Sequence, residues 1–130
     1  MIERNERGGG MSLMAIGAVL LAILIAGLVV DSGRQYEAAA TAQAAAAAAA
    51  RAASNSTATQ RLAAAPIDGD AAITAAQQYL NQAGVSGSAS INGQQITVEA
   101  IDTRPTQFLA VLGISQVSGR GHATANLVTP

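Results

Sequence analysis

Residues 38–54 read AAATAQAAAAAAARAAS, an alanine run that three other side chains interrupt and Ser54 ends. Alanine is the best helix former, and the sequence from Arg34 to Ala53 contains no Gly or Pro, so the run predicts a long helix. Alanine also lets another element approach closely, whereas a lone exposed rod usually carries paired charges. We therefore interpret the run as a packing surface for partner helices.

The segment preceding the alanine run is strongly apolar. Residues 11–30 read MSLMAIGAVLLAILIAGLVV, twenty residues without a charge. That length matches a helix that crosses a bilayer, which predicts a transmembrane helix over residues 11–30. A cleaved signal peptide is the alternative, but its apolar region is usually shorter, which favours an uncleaved anchor.

The basic residues before the apolar segment predict its orientation. Arg4 and Arg7 precede it, and arginines close to a span tend to stay on the cytoplasmic side. Residues 1–10 are then a cytoplasmic head, and the C-terminal part lies outside the membrane. We expect a single-pass protein of the cell membrane.

Small residues recur along the predicted membrane helix. Alanines spaced by four residues share one face of a helix, and in lipid such faces allow helices to pack closely. An alanine-rich chain also produces such spacing by composition alone, and both interpretations stay open. The candidate helix-packing residues in the span and in the stalk beyond it are Ala18, Ala22, Ala26, Ala39, Ala42, Ala46 and Ala49.

The stalk is expected over residues 31–65 and a small domain over residues 66–130, because Pro66 stops a helix. Within that domain, residues 70–84 place apolar side chains three and four positions apart, which predicts a helix with one buried face. Asp68 or Asp70 caps it in this interpretation, and Gly84 ends it.

After Gly84 the apolar period changes to two, which predicts strands. Alternation runs through residues 85–92, 96–100 and 117–127, and Asn92-Gly93 predicts a hairpin between the first two. Residues 106–114 form a short helix or a buried crossover, which Thr106 caps and Gly113 ends. The predicted class is α+β, an α-β-β-α-β domain with a three-stranded antiparallel-type sheet, and the small residues of the last strand leave room for a helix to lie close.

The sequence offers little for chemistry. It contains no Cys and one His, which excludes disulfides, thiol catalysis and zinc sites of the usual type. His122 falls on the outward face of the last strand without an organised partner, and a net charge of −1 gives no basic face for nucleic acid. We expect no enzyme, no cofactor, no metal, no nucleic acid and no small-molecule substrate.

The order of several stretches along the chain is characteristic: ERGGG at residues 6–10, LVVDSGR at 28–34, an alanine-rich helix, AAQQYLNQAGVSG at 75–87, ITVEA at 96–100 and RPTQFLAVLGI at 104–114. Together they resemble the TadE/TadG-like envelope proteins of actinobacterial Tad (Flp-type) pilus clusters. The resemblance implies a membrane-anchored pseudopilin or minor-pilin-like component of pilus assembly. Its partners would be the lipid bilayer and other pilus subunits or copies of itself, contacted through helix packing.

The resemblance also implies Gly10 as a candidate processing site. Processed members of the family carry Glu at the fifth position after the cleaved glycine, whereas this chain has Ala15 there. That departure favours the permanently anchored, TadG-like side of the family. A second hypothesis, of a different class, is a single-pass display protein whose helix holds an adhesin-like binding domain away from the membrane.

Overall fold

The computed structural model describes residues 7–127 and confirms the predicted α+β class: a long N-terminal helix followed by a small domain with a three-stranded antiparallel sheet. A 3-10 helix at Leu109–Leu112 connects the last two strands. The remaining elements are α1 (Arg7–Ser56), α2 (Ala58–Leu62), α3 (Gly69–Gln82), β1 (Ser86–Asn92), β2 (Gln95–Pro105) and β3 (Gln116–Asn126).

Helix α1 is one continuous helix of 50 residues. Asp31, Ser32 and Gly33 at the end of the apolar segment are helical, so neither the polar residues nor the glycine interrupts α1. At 1.5 Å per residue α1 is about 75 Å long. It begins at Arg7, so the end of the predicted cytoplasmic head is part of the helix, while residues 1–6 of that head lie outside the described residues.

The ends of α3 follow from local sequence. Of the two candidate caps, Asp68 is the one used, since its Oδ1 accepts the Ala71 backbone N–H at 3.1 Å. Gly84 adopts a left-handed conformation with φ of 69°, as predicted for the residue that ends this helix.

The sheet has the order β1-β2-β3, and both pairs are antiparallel. The predicted hairpin is present, but its turn is centred one residue later than Asn92-Gly93. Asn92 pairs with Gln95, so Gly93 and Gln94 form the connection, and of the two only Gly93 has a positive φ. Gly93 thus supplies the backbone freedom that the turn needs.

Helices α1 and α3 cover one face of the sheet, and the core lies between these layers. Ile96 and Val98 of β2 are fully buried there together with Leu80 of α3. Gly119 and Gly121 of β3 face α1 so closely that a Cβ on either would overlap the α1 backbone. The small residues of β3 therefore leave room for a helix, as predicted, and that helix is α1.

The alanine-rich part of α1 is a layer of this core. Ala42, Ala46 and Ala49 are fully buried by the sheet and α3 of the same chain. Because so little side chain intervenes, the helix approaches the strands almost backbone to backbone. The alanine run therefore serves the fold of its own chain, and these three residues leave no exposed surface for a second subunit.

Candidate packing surfaces and the membrane joint

The N-terminal part of α1 is an exposed apolar surface. From residue 11 to residue 30 every residue except Gly27 is exposed, although the segment carries leucines, isoleucines and methionines throughout. The helix is long and apolar enough to cross a membrane, judged by length and composition. An apolar surface of this size requires a cover other than water.

The candidate packing residues fall into two groups. Ala18, Ala22 and Ala26 lie on the exposed part of α1, and the domain does not cover them. Ala39 is half-buried under β3, and the other three stalk alanines are in the core. The three alanines of the span are thus accessible to another chain, whereas the four of the stalk are wholly or partly covered by this chain's own domain.

Asp31 lies on α1 between the exposed apolar part and the alanine-rich part, and it binds the loop between β2 and β3. Its carboxylate is buried and accepts three backbone N–H groups, those of Gln107 at 2.9 Å, Phe108 at 3.0 Å and Leu109 at 2.7 Å. These N–H groups precede and begin the 3-10 helix, where no intrahelical acceptor is available. One side chain therefore caps an element more than seventy positions further along the chain.

The hydrogen bonds also set the charge state of Asp31. The Gln107 N–H has the largest effect and lowers the pKa of Asp31 below the ordinary 3.8, and burial opposes it. The N–H groups of Leu109 and Phe108 and the positive charge of Arg34 lower the pKa further. Asp31 is therefore an anion at neutral pH, the form that accepts all three bonds.

The predicted cap at Thr106 needs correction, because Asp31 performs that role. Thr106 is instead buried, and its hydroxyl donates to the backbone carbonyl of Ile114 across the base of the loop. The backbone N–H of Thr106 donates to the Ser115 carbonyl at 3.0 Å. Gly113, with φ of 88°, ends the 3-10 helix as predicted.

Phe108 lies directly against α1 at Gly27. A Cβ on Gly27 would lie 2.6 Å from both Cβ and Cγ of Phe108, far inside ordinary contact distance. Glycine at this position therefore allows the phenylalanine to seat on the helix. The loop contacts α1 from Gly27 to Asp31, which is one turn of the helix at the end of the apolar segment.

Comparison with known proteins finds a family similar to the N-terminal part of the chain. Residues 8–65 match a family model described as "Putative Flp pilus-assembly TadE/G-like". The resemblance drawn from the sequence is confirmed there. No curated protein and no solved structure matches the chain. The match relates residues 8–65, which we call the TadE/G-like segment, to Flp pilus assembly.

The TadE/G-like segment includes the whole exposed apolar surface, Asp31 and the buried alanines. It ends at residue 65, before α3 and the sheet, so the similar stretches noted at residues 75–114 lie outside the match. Gly10 lies inside α1 near its beginning, with open space around it.

Polar contacts also hold α1 to the sheet on the C-terminal side of Asp31. Arg104 of β2 bonds to Glu37 at 3.1 Å and to Thr41 at 3.0 Å on α1, and to Asp102 at 3.0 Å on its own strand. The Gln43 amide donates to the His122 carbonyl at 2.8 Å and accepts the His122 N–H at 3.1 Å. Gln43 thus occupies the place of a neighbouring strand along β3.

No group of three His, Cys, Asp or Glu side chains that could hold a metal ion occurs within residues 7–127. His122 is exposed on the outer face of β3, opposite Glu99 of β2, and its main chain is what α1 contacts.

Sequence reasoning did not assign roles to Gly27, Asp31 and Phe108. The available signal was an acidic residue at the end of an uncharged run with a glycine one turn before it. The partner loop is far away in sequence, so its connection to Asp31 follows only from the tertiary fold.

Proposed function

We propose that this protein is a membrane-anchored structural component of Flp pilus assembly, of the pseudopilin or minor-pilin-like kind, that acts by helix packing within the membrane. The family of residues 8–65 supports the pilus-assembly role. In this proposal residues 11–30 span the cell membrane once, the N-terminus is cytoplasmic, and the α+β domain lies outside. The role requires no substrate or cofactor.

The observation that carries the proposal is the division of α1. Its alanine-rich part packs in the core of the domain, whereas the apolar part before Asp31 is exposed except at Gly27. Lipid covers most of that surface in the proposal. The stripe of Ala18, Ala22 and Ala26 is where a second helix can approach closely, either another copy or another pilus subunit.

The stripe can be tested with a small-to-large substitution. Ala22→Leu in the full chain, expressed with the other pilus proteins, is expected to reduce oligomers on native gels and the number of pili. Gly17→Leu is the matched control, since Gly17 is another small residue of the span but lies about 140° around the helix from Ala22. Ala46→Leu is unsuitable, because Ala46 is fully buried in the domain core.

The outcomes separate the two hypotheses from the sequence. Loss of oligomers and pili with Ala22→Leu but not with Gly17→Leu supports helix packing. If neither substitution changes oligomers or pili, the packing role is wrong and the display hypothesis gains. In that case substitutions on the exposed face, at Arg120 and His122, should abolish attachment while assembly persists.

We also propose that the protein keeps its N-terminus as a permanent anchor. Ala15 replaces the glutamate of processed family members at the fifth position after Gly10. The intact mass of protein purified from its own membranes tests this proposal. A chain that begins at Met1 supports the anchor, and a chain that begins at Met11 would show that Gly10 is processed.

A further inference from the structure

We propose that the loop between β2 and β3 is a second membrane contact of this chain. We define the apolar loop as residues 107–114, and infer that its exposed apolar side chains enter the outer interface of the bilayer that α1 spans. The inference rests on the proposed membrane span of residues 11–30 and adds to it a seat for the domain on the lipid surface.

The first observation is a concentration of exposed large apolar side chains in one loop of the domain. Val111 is 85% exposed and Leu112 66% exposed, and Phe108 and Ile114 are each exposed over nearly half their surface. Four large apolar side chains in a single loop of eight residues form a patch of the kind that marks an interaction surface. The outer face of the sheet beside it carries mainly serine, threonine, glutamine and charged side chains, with Ile101 as an exposed apolar exception.

The second observation is the level of the loop along α1. Phe108 seats on Gly27, inside the apolar segment, and four residues before Asp31. At 1.5 Å per residue that contact lies about 6 Å on the membrane side of Asp31. A loop held at this level meets the interfacial zone of any bilayer that covers residues 11–30, since that zone extends beyond the hydrocarbon core.

The third observation is that the loop is held rigidly at that level. The Asp31 carboxylate binds three of its backbone N–H groups, and Thr106 closes its base onto Ile114. Since α1 is a single helix through this region, the loop cannot leave the membrane surface while α1 stays inserted and these bonds persist.

The charges around the loop have the arrangement of an interfacial element. Residues 105–119 contain no charged side chain, and the charges begin again above the loop. Arg34, three residues beyond Asp31, donates to the Pro105 carbonyl at 3.1 Å, and Arg120 lines an open groove beside Tyr36. Arginine and tyrosine at this level suit lipid headgroups, with the apolar tip below them.

Lipid is favoured as the occupant because the apolar loop is continuous with the apolar surface of α1. Phe108 touches the helix within the segment that lipid covers in the proposal, so one lipid surface can cover both without a separate partner. The patch is also a projecting tip on a short 3-10 helix. A projecting apolar tip enters an acyl boundary without needing a complementary shape.

A single labelled cysteine tests the inference, because the chain has no natural Cys. The full chain is prepared as Val111→Cys, Ile23→Cys and Thr124→Cys, labelled with an environment-sensitive fluorophore and reconstituted into phosphatidylcholine vesicles at high lipid excess. A fraction of the lipid carries a nitroxide quencher near the top of its acyl chains. Ile23 reports the span, and Thr124 is exposed near the far end of β3.

We expect the nitroxide lipid to quench the Val111→Cys label several-fold more than the Thr124→Cys label, with a blue-shifted emission. Adding Leu112→Asp to Val111→Cys should abolish most of this quenching. Leu112 is largely exposed, so its substitution leaves the core intact, and unchanged secondary structure by circular dichroism verifies this.

Each alternative result overturns a defined claim. Quenching at Ile23 but not at Val111 contradicts the second contact and leaves the span intact, whereas quenching at neither position contradicts the span itself. A Val111→Cys label that is shielded from aqueous iodide but not quenched by nitroxide lipid would show that protein covers the loop, which also overturns the proposal.

Discussion

The close approach of α1 to β3 predicts a large effect from adding one methyl group. Gly119→Ala places a Cβ within the backbone of Ala38 and Ala39 on α1. Gly119 has no positive φ, so alanine is compatible with its backbone conformation and the cost is steric alone. The substitution therefore isolates the packing of helix on strand.

The magnitude follows from contact distances. Non-bonded carbon atoms rest about 3.5–4.0 Å apart, so helix and strand must separate by roughly 1 Å or more to admit the methyl group. A gap of that size forfeits about a quarter to a half of the dispersion energy across the contact. Overpacking a rigid core usually costs about 1–3 kcal/mol, and two backbones that cannot rotate away place Gly119→Ala at about 2–4 kcal/mol.

Hydrogen–deuterium exchange of the full chain in detergent micelles measures this cost. Each 1.4 kcal/mol is a factor of ten, so amide protection in peptides from β2 and β3 should fall by about 30-fold to about 700-fold. Gly33→Ala is the matched control, since a Cβ at Gly33 meets nothing within 4 Å on α1. That control should preserve protection or raise it, because alanine is favoured over glycine in a helix by about 0.5–1 kcal/mol.

The reasoning would be refuted by protection in β3 that stays within about threefold of the parent after Gly119→Ala, a change below about 0.7 kcal/mol. That result would mean that α1 does not pack on β3 through this glycine.

Three further predictions concern the Asp31 cap, the buried core and the contact of Gln43 with β3. The folded-state pKa of Asp31 is lowered, so its contribution is complete above 3.8 and is lost as pH falls through the folded pKa. Loop protection, corrected for intrinsic exchange, should be flat between about pH 5 and 8 and fall only in stronger acid, and Asp31→Asn should lower it at neutral pH. Leu80→Ala empties a fully buried site and should cost about 2–5 kcal/mol in urea unfolding followed by circular dichroism, whereas a cost under about 1 kcal/mol would contradict the core described above. Gln43→Ala removes both bonds to the His122 main chain at an exposed edge, so we expect about 1 kcal/mol and faster exchange of the His122 amide, with unchanged exchange as the contradicting result.

Local patterns accounted for the elements of this fold. The apolar period of α3, the alternation of the strands and glycines 84 and 113 are short-range signals, and the structure bears each of them out. The hairpin turn shows the limit of such signals. Asn92-Gly93 and Gly93-Gln94 both satisfy the sequence pattern, and the pairing of Asn92 with Gln95 decides between them.

The tertiary role of α1 was harder to predict, because alanine has the same helix propensity on a rod and in a core. An exposed rod and a core helix differ in whether another element covers them. Here β3 covers α1, and its Gly119 and Gly121 both face the helix. The pattern of small residues in β3 was recognised as room for a helix, but periodicity cannot say which helix. The Asp31 cap has the same origin, since a carboxylate and three N–H groups far apart in sequence meet only after the sheet has formed.

Disulfide crosslinking within the membrane tests the central claim, helix packing through the alanine stripe, most directly. Ala22→Cys and Leu24→Cys place a single thiol on opposite faces of α1, about 200° apart. In membranes of cells that make the Flp pilus proteins, oxidation of Ala22→Cys should yield crosslinked dimers, whereas Leu24→Cys should stay monomeric. Equal crosslinking from both positions, or crosslinking from Leu24→Cys alone, would contradict packing through the stripe.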